Sequence, residues 1–208
     1  MGSGDTRWRW VIFVRSVLST VENRGGLLFR ALGRELVRRG QEVLFLEERG
    51  NPAVLALLRQ RGAAGMAELR EGWPELAYQT YERRFGADLV EWLGRRLATA
   101  DVALVELGVD PDLAYWVGEL TRPHLRTYLL DLTPDAPSLA LLRERLDPSR
   151  YSGVICSAAA GAHYEGRMPA EQRVELPIDL TVEPAERVAA RLADLLFELV
   201  RAAPPVIS

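Results

Sequence analysis

Apolar runs of strand length alternate with helical patterns along this chain, and this rhythm leaves few folds open. The run WRWVIFVRSV, from Trp8, is apolar on both faces, which is typical of a strand buried in a parallel sheet. Helical patterns separate it from later runs such as EVLFLEE, DVALVEL, RTYLLDL and SGVICSA. Because crossovers between parallel strands are right-handed, we expect an α/β fold with a doubly wound, mostly parallel, Rossmann-like sheet of about seven strands.

Two segments of the first half have a clear predicted place in this fold. The segment after Gly26 predicts an amphipathic helix that stops near Gly40. Its two stripes consist of Leu28, Leu32 and Leu36 on one face and Arg30, Arg34 and Arg38 on another. The run LAYQTYE alternates in polarity and predicts a half-exposed strand near the sheet edge.

The end of the chain departs from the rhythm. After the last predicted strand, RVELPI, a long amphipathic pattern carries a leucine stripe with no strand behind it. We therefore expect a single domain over residues 1–183 and a C-terminal helix over residues 184–208. Such a helix must pack back on the domain or onto a partner chain, for example in a homodimer.

Composition excludes several classes of function. The 208 residues carry a formal net charge of -3 and no lysine, which removes P-loop and Schiff-base mechanisms and argues against a nucleic-acid partner. One cysteine and two histidines argue against a metal site. No apolar run approaches the ~20 residues of a membrane span, so we expect a cytoplasmic protein with no membrane span.

A ligand site is predicted where the strand order reverses. In doubly wound sheets ligands bind beyond the carboxyl ends of the strands at that point, here between residues 16–26 and the loop after DVALVELG. Gly25 and Gly26 let the backbone approach a ligand, and the first N–H groups of the helix attract an anion or polar oxygen. Asn23 and Arg24 can add hydrogen bonds. The alternative is that this segment only makes a tight turn.

Further polar residues follow the other predicted strands. Asp131 comes directly after a buried strand and could hold sugar hydroxyls, serve as a base, or cap the following turn. His163 could equally be a surface histidine. The polar residues expected on this rim are Glu106, Asp110, Asp131, Thr133, Asp135, Ser157 and His163.

A dinucleotide cofactor is the alternative that Glu47 and Glu48 raise. They end the second predicted strand about twenty residues after the glycines, where such domains keep a ribose-binding acid. The sequence VRSVLSTVENRGG lacks the G-x-G-x-x-G fingerprint, however. We therefore expect no cofactor and interpret both acids as solvated residues at a strand end.

The run GGLLFRALGRELVRRGQEVLFLEE resembles the N-terminal half of GT-B glycosyltransferases, in which a Gly-Gly loop opens the first helix. Gln41 stands where that family usually has histidine. The later segments YLLDLTPDAPSLALLRERL, SRYSGVICSAAAGAHYEG and RVELPIDLTVEP resemble, in order, signatures of the spore-maturation-type branch. The resemblance covers most of residues 8–184.

This resemblance implies a glycosyltransferase-like, acceptor-side domain that binds a sugar or nucleotide sugar. In the family a second Rossmann-like domain binds the donor, so we expect dependence on a donor-domain partner chain, or no activity alone. An acid, Glu106 or Asp131, would deprotonate the acceptor hydroxyl. The alternative is a non-catalytic binding or assembly module. The expected ligand-binding residues are Asn23, Arg24, Gly25, Gly26, Thr133, Ser157 and His163.

Overall fold

Seven parallel strands form one sheet in the computed structural model, which describes residues 6–19, 23–120, 122–132, 137–178 and 182–202. The strand order is β3-β2-β1-β4-β5-β6-β7, so the order reverses between β1 and β4, as predicted. The alternating run LAYQTYE supplies the edge strand β3. The strands are β1 (Arg9–Val14), β2 (Glu42–Glu48), β3 (Tyr78–Tyr81), β4 (Val102–Glu106), β5 (Arg126–Asp131), β6 (Gly153–Cys156) and β7 (Arg173–Glu175).

Helices cover both faces of this sheet, which confirms the doubly wound α/β fold. One core layer lies under α1 and α7, and the other lies under α3, α4 and α5. The helices of the described residues are α1 (Arg24–Arg38), α2 (Pro52–Gly72), α3 (Gly86–Arg96), α4 (Pro111–Glu119), α5 (Pro137–Arg145), α6 (Ala158–Gly161) and α7 (Ala185–Ala202).

The first helix follows its sequence pattern except at one arginine. Leu28, Leu32 and Leu36 are buried under α1, and Gly40 takes the left-handed conformation after it, with a φ of 79°. A glycine adopts that conformation without steric cost, which ends the helix. Arg30, predicted on a separate arginine stripe, is only 1% exposed and lies inside the protein.

The run NPAVLALLRQRG predicts a helix that begins at a proline, and the observed α2 is longer than this run. It continues to Gly72 but breaks at Gly62, whose φ of 57° and ψ of −152° are not helical. Only Leu57 and Gly65 of its 21 residues are buried. A helix with so little buried surface gives a weak periodic signal, so the second half was missed.

The C-terminal helix α7 packs against α1 of the same chain. Leu192 and Leu196 are fully buried between α7 and the sheet. The Phe197 ring lies 5.4 Å from the ring of Trp8 and 6.1 Å from that of Trp10, measured between centroids. The leucine stripe predicted for this helix therefore has an intramolecular partner.

No helix among the described residues is long and apolar enough to cross a lipid bilayer.

Truncating the α7 stripe should destabilise the whole domain. Leu196→Ala removes a fully buried side chain and leaves a cavity, so we expect the free energy of unfolding to fall by about 2–5 kcal/mol in urea titrations. The control Leu141→Ala alters a side chain that is 65% exposed, and its effect should stay within about 0.5 kcal/mol. Equal, small effects of both substitutions would contradict the packing described for α7.

Candidate functional site

A hollow of about 490 Å³ opens at the carboxyl edge of the sheet, where β1 and β4 lie side by side. This position matches the one that strand-order reversal predicts for a ligand. The loops after β1 and β4 lead to helices on opposite faces, so they diverge and leave space between them. The hollow is lined by Val14, Arg15, Ser16, Asn23, Gly25, Gly26, Glu48, Arg49, Gly50, Asn51, Pro52, Ala53, Tyr81, Glu106, Gly108, Val109 and Asp110.

Three helices begin at this hollow, each with a polar capping side chain in its wall. The Asn23 carboxamide oxygen accepts from the Gly26 N–H of α1 at 3.0 Å, and the Asn51 carboxamide oxygen accepts from the Ala53 N–H of α2 at 2.8 Å. The Asp110 carboxylate accepts from two N–H groups of α4, at 2.9 and 3.2 Å. Because helix N-termini carry a partial positive charge, their convergence favours an anionic or oxygen-rich guest.

The two glycines of the first helix contribute differently. Gly25 lines the hollow, and among the described residues nothing accepts a hydrogen bond from its N–H. A Cβ at Gly26 would clash with the Ser19 hydroxyl and lie 3.3 Å from the Ser16 carbonyl oxygen. Gly26 therefore allows the loop after β1 to lie directly on the helix start. Arg24 is exposed and is not part of the lining.

Glu106 ends β4 inside the hollow and is held firmly. Its two carboxylate oxygens accept from the Arg15 N–H at 2.7 Å and from the Arg15 Nε at 2.8 Å. Burial raises the pKa of Glu106 above the ordinary value of a glutamate, and the Arg15 charge opposes this shift. A carboxyl with a raised pKa, aimed at a ligand site, is suited to accept a proton from a hydroxyl.

An ion-pair cluster forms the opposite rim. The Arg83 guanidinium pairs with the Asp110 carboxylate, and its Nε lies 3.8 Å from a carboxylate oxygen of Glu48. Arg49, on the same rim, pairs with Glu82 at 2.6 Å. The capping pattern N-P in Asn51–Pro52 and D-P in Asp110–Pro111 could have revealed this part of the site, since it marks helix starts after two strands.

Asp131 lies outside the hollow, in a second polar cluster beneath α5. It is completely buried, and its carboxylate accepts from the Arg143 Nε at 2.7 Å, from the Arg143 Nη2 at 3.0 Å and from the Tyr164 hydroxyl at 2.8 Å. These contacts account for Asp131 as the anchor of a buried ion pair. Its predicted catalytic role would need a ligand to reach a side chain with 0% exposure.

Ser157 and His163 are also outside the lining of the hollow. Ser157 is buried beside Asp131, whose carbonyl oxygen accepts from its N–H at 2.9 Å; the Ser157 hydroxyl has no partner among the described residues. His163 is half-buried in the turn next to Tyr164. Thr133 and Asp135 lie outside the described residues. The structure thus brings Asn23, Gly25, Gly26, Asp110 and Glu106 together and groups Asp131 and Ser157 elsewhere.

The expectation that Glu47 is solvated is wrong. Its side chain has 0% exposure and points into the protein, whereas its neighbour Glu48 lines the hollow. Burial raises the pKa of Glu47, and hydrogen bonds from the N–H groups of Val17 and Leu18 oppose the shift. Among the described residues, no group of histidine, cysteine and acidic side chains could hold a metal ion.

No protein-family model and no curated protein matches this sequence. Among solved structures, Arabidopsis thaliana UGT89C1 complexed with UDP is similar with 10% identity and a TM-score of 0.46, over 83% of this chain and 49% of that protein. The UDP-forming α,α-trehalose-phosphate synthase of Burkholderia xenovorans has 16% identity and a TM-score of 0.33, over 94% and 41%. Orotidine 5′-monophosphate decarboxylase from Methanocaldococcus jannaschii has 9% identity and a TM-score of 0.32, over 91% and 98%.

This chain therefore spans about half the length of the Arabidopsis thaliana protein. These three proteins have different enzyme names, so structural similarity at such low sequence identity does not distinguish one activity from another. A shared α/β architecture does not determine function, which depends on the residues of the site.

The two glycines offer a matched pair of substitutions. Gly26→Ala forces the loop away from the helix start, so we expect a loss of about 1–3 kcal/mol in the free energy of unfolding. A Cβ at Gly25 meets only the Asn23 oxygen at 3.4 Å, so Gly25→Ala should be neutral or stabilising by up to about 1 kcal/mol. Urea titration of both variants checks this order, and a larger loss at Gly25 would refute the described approach of the loop.

The raised pKa of Glu106 predicts a pH-dependent stability. A carboxyl whose pKa is higher in the folded state stabilises the fold below its unfolded pKa, and this contribution disappears as the pH rises through the folded pKa. The melting temperature of Glu106→Gln, minus that of the unaltered protein, should therefore increase between about pH 5 and about pH 8. Glu91→Gln, on the exposed side of α3, is the control and should show no such trend. If this difference in melting temperature fell as the pH rises, the charge of Arg15 would have a larger effect on the Glu106 pKa than burial has.

Proposed function

We propose that this domain binds a sugar or nucleotide sugar in the hollow and serves as the acceptor-side part of a glycosyltransferase. The hollow is the observation that supports this proposal. It lies where the strand order reverses, and three capped helix starts and a buried glutamate surround it. Backbone N–H groups suit phosphate or sugar oxygens, and a carboxylate suits sugar hydroxyls. The sequence resemblance to GT-B glycosyltransferases supports this class of ligand. Membership of the spore-maturation-type branch stays a prediction.

Within this function, Glu106 is the acid that we assign to the acceptor hydroxyl. Its raised pKa and its place in the wall of the hollow support that role over Asp131, which is fully buried elsewhere. The proton moves from the acceptor hydroxyl to a Glu106 oxygen as the hydroxyl oxygen attacks the sugar carbon, and the nucleotide leaves with its phosphate. We propose that a second domain or chain presents the sugar donor to this hollow.

The assembly alternative has less support. It relied on the leucine stripe of α7, which α1 and the sheet of the same chain already cover. No other observation favours a role as a purely structural module.

Calorimetric titration tests the proposal directly. We expect heat of binding with at least one of UDP-glucose, GDP-mannose and methyl glucoside, because the hollow offers N–H donors and a carboxylate to their oxygens. Gly25→Leu adds a side chain to the wall of the hollow and should weaken that binding by at least about 10-fold. Gly94→Leu, in the middle of α3 and outside the hollow, is the matched control and should leave the affinity unchanged.

Two outcomes would contradict the proposal. The first is no heat with any of the three compounds from protein that circular dichroism shows to be folded. The second is binding that Gly25→Leu and Gly94→Leu change equally, because the ligand would then lie outside the hollow.

A further inference from the structure

Two buried charges of opposite sign hold the loop segment of residues 15–19, whose residues Arg15 and Ser16 form part of the wall of the hollow. Glu47 lies at the end of β2, and Arg30 lies in the second turn of α1. Their side chains are 0% and 1% exposed. Neither charge was expected inside the protein, and neither belongs to the lining of the hollow.

Glu47 holds the segment by its amides. One carboxylate oxygen, Oε2, accepts from the Val17 N–H at 2.8 Å and from the Leu18 N–H at 3.2 Å. The other oxygen, Oε1, has no hydrogen-bond partner among the described residues. No arginine among those residues lies within ion-pairing distance of this carboxylate. The negative charge is thus stabilised by two main-chain N–H groups and by a hydrogen bond from the Asn51 side chain.

Arg30 holds the same segment by its carbonyls. Its Nη1 donates to the Val17 carbonyl oxygen at 2.7 Å and to the Ser19 carbonyl oxygen at 3.3 Å. Within the described part of the chain, no carboxylate pairs with Arg30, and its Nε has no acceptor. The Arg30 guanidinium carbon lies 5.8 Å from the centroid of the Trp73 ring.

We infer that the charges of Glu47 and Arg30 act as one buried pair, linked through the peptide group between Val17 and Leu18 instead of by direct contact, and that this pair positions the wall of the hollow. The N–H of this peptide points at the anion and its C=O at the cation, so both charges polarise the same dipole in the favourable direction. In a protein interior an isolated charge is strongly unfavourable, so each charge makes the other tolerable. The importance of the wall for a ligand rests on the proposed function, but the pairing does not.

A double-mutant cycle tests the pairing without any ligand. Glu47→Gln keeps an acceptor oxygen and removes the charge, and Arg30→Met keeps the length of the side chain without the charge. Each single variant leaves the opposite charge uncompensated. Each substitution should raise the unfolding equilibrium constant by some factor. We therefore expect the factor for the double variant to be at least about 10-fold smaller than the product of the factors for the two single variants.

Arg34→Met supplies the control cycle. Arg34 lies one turn further along α1, where it pairs with Glu75 and donates to the Gly72 carbonyl oxygen. Its combination with Glu47→Gln should be additive within about 2-fold. Additive behaviour in the Arg30 cycle as well would overturn the proposed pair.

Hydrogen exchange tests the positioning role and does not require the double variant to fold. In Arg30→Met, the Val17 and Leu18 amides should lose at least about 10-fold of their protection, while the Ile12 amide in β1 stays protected. Arg30→Lys restores a positive charge and should recover part of the Leu18 protection. Unchanged exchange at Val17 and Leu18, or equal loss in the Met and Lys variants, would contradict a charge-based positioning role.

The two proposals can fail separately. Non-additive mutations and faster amide exchange, without any heat of sugar binding, would support the linked charges of Glu47 and Arg30 and contradict the proposed ligand. Sugar binding at the hollow, together with an additive Glu47–Arg30 cycle, would support the proposed ligand and contradict the linked charges.

Discussion

The reversal of strand order between β1 and β4 is the constraint on which the rest of this structure depends. At that point the chain leaves β1 for one face of the sheet and leaves β4 for the other, and the described residues 15–19 of the first loop belong to no strand or helix. Buried N–H groups must still find acceptors. The acids that end the two neighbouring strands supply them: Glu106 for Arg15, and Glu47 for Val17 and Leu18. The hollow stays open because carboxylate side chains, instead of another strand or helix, accept hydrogen bonds from the backbone N–H groups of this loop.

The fold could be predicted because its signals are local. Runs apolar on both faces identify the central strands, the alternating LAYQTYE identifies the edge strand, and the order of elements then fixes a doubly wound sheet. The position of the hollow follows from that topology alone. The Gly62 break in α2 could not be predicted in this way, because α2 buries little surface and its pattern has no strong period.

The roles of individual acids were harder to predict, because they depend on distant partners. Glu106 and Asp131 both end buried strands, and their sequences look alike. Asp131 is taken up by Arg143 and Tyr164, whereas Glu106 faces the hollow and is held by Arg15, which is 91 residues away in sequence. The separate fates of Glu47 and Glu48 were equally hard to predict. Successive side chains of a strand point to opposite faces, but helices cover both faces of this sheet, so the strand period does not tell which acid is buried.

The charges around the hollow indicate how it would recognise a ligand. Its arginines are committed to acids, Arg15 to Glu106 and Arg49 to Glu82, and Arg83 on the rim is committed to Asp110. The attraction for a polar oxygen must then come from the helix starts, whose N–H groups act over short range and in fixed directions. The N–H groups of Gly26, Ala53 and Leu113 already donate to capping side chains. The Gly25 N–H has no acceptor among the described residues. Such a site selects a ligand by where its oxygens lie more than by its net charge. Under the proposed function, such selection needs a rigid wall, and the inferred pair of Glu47 and Arg30 would hold the segment of residues 15–19 in place behind it.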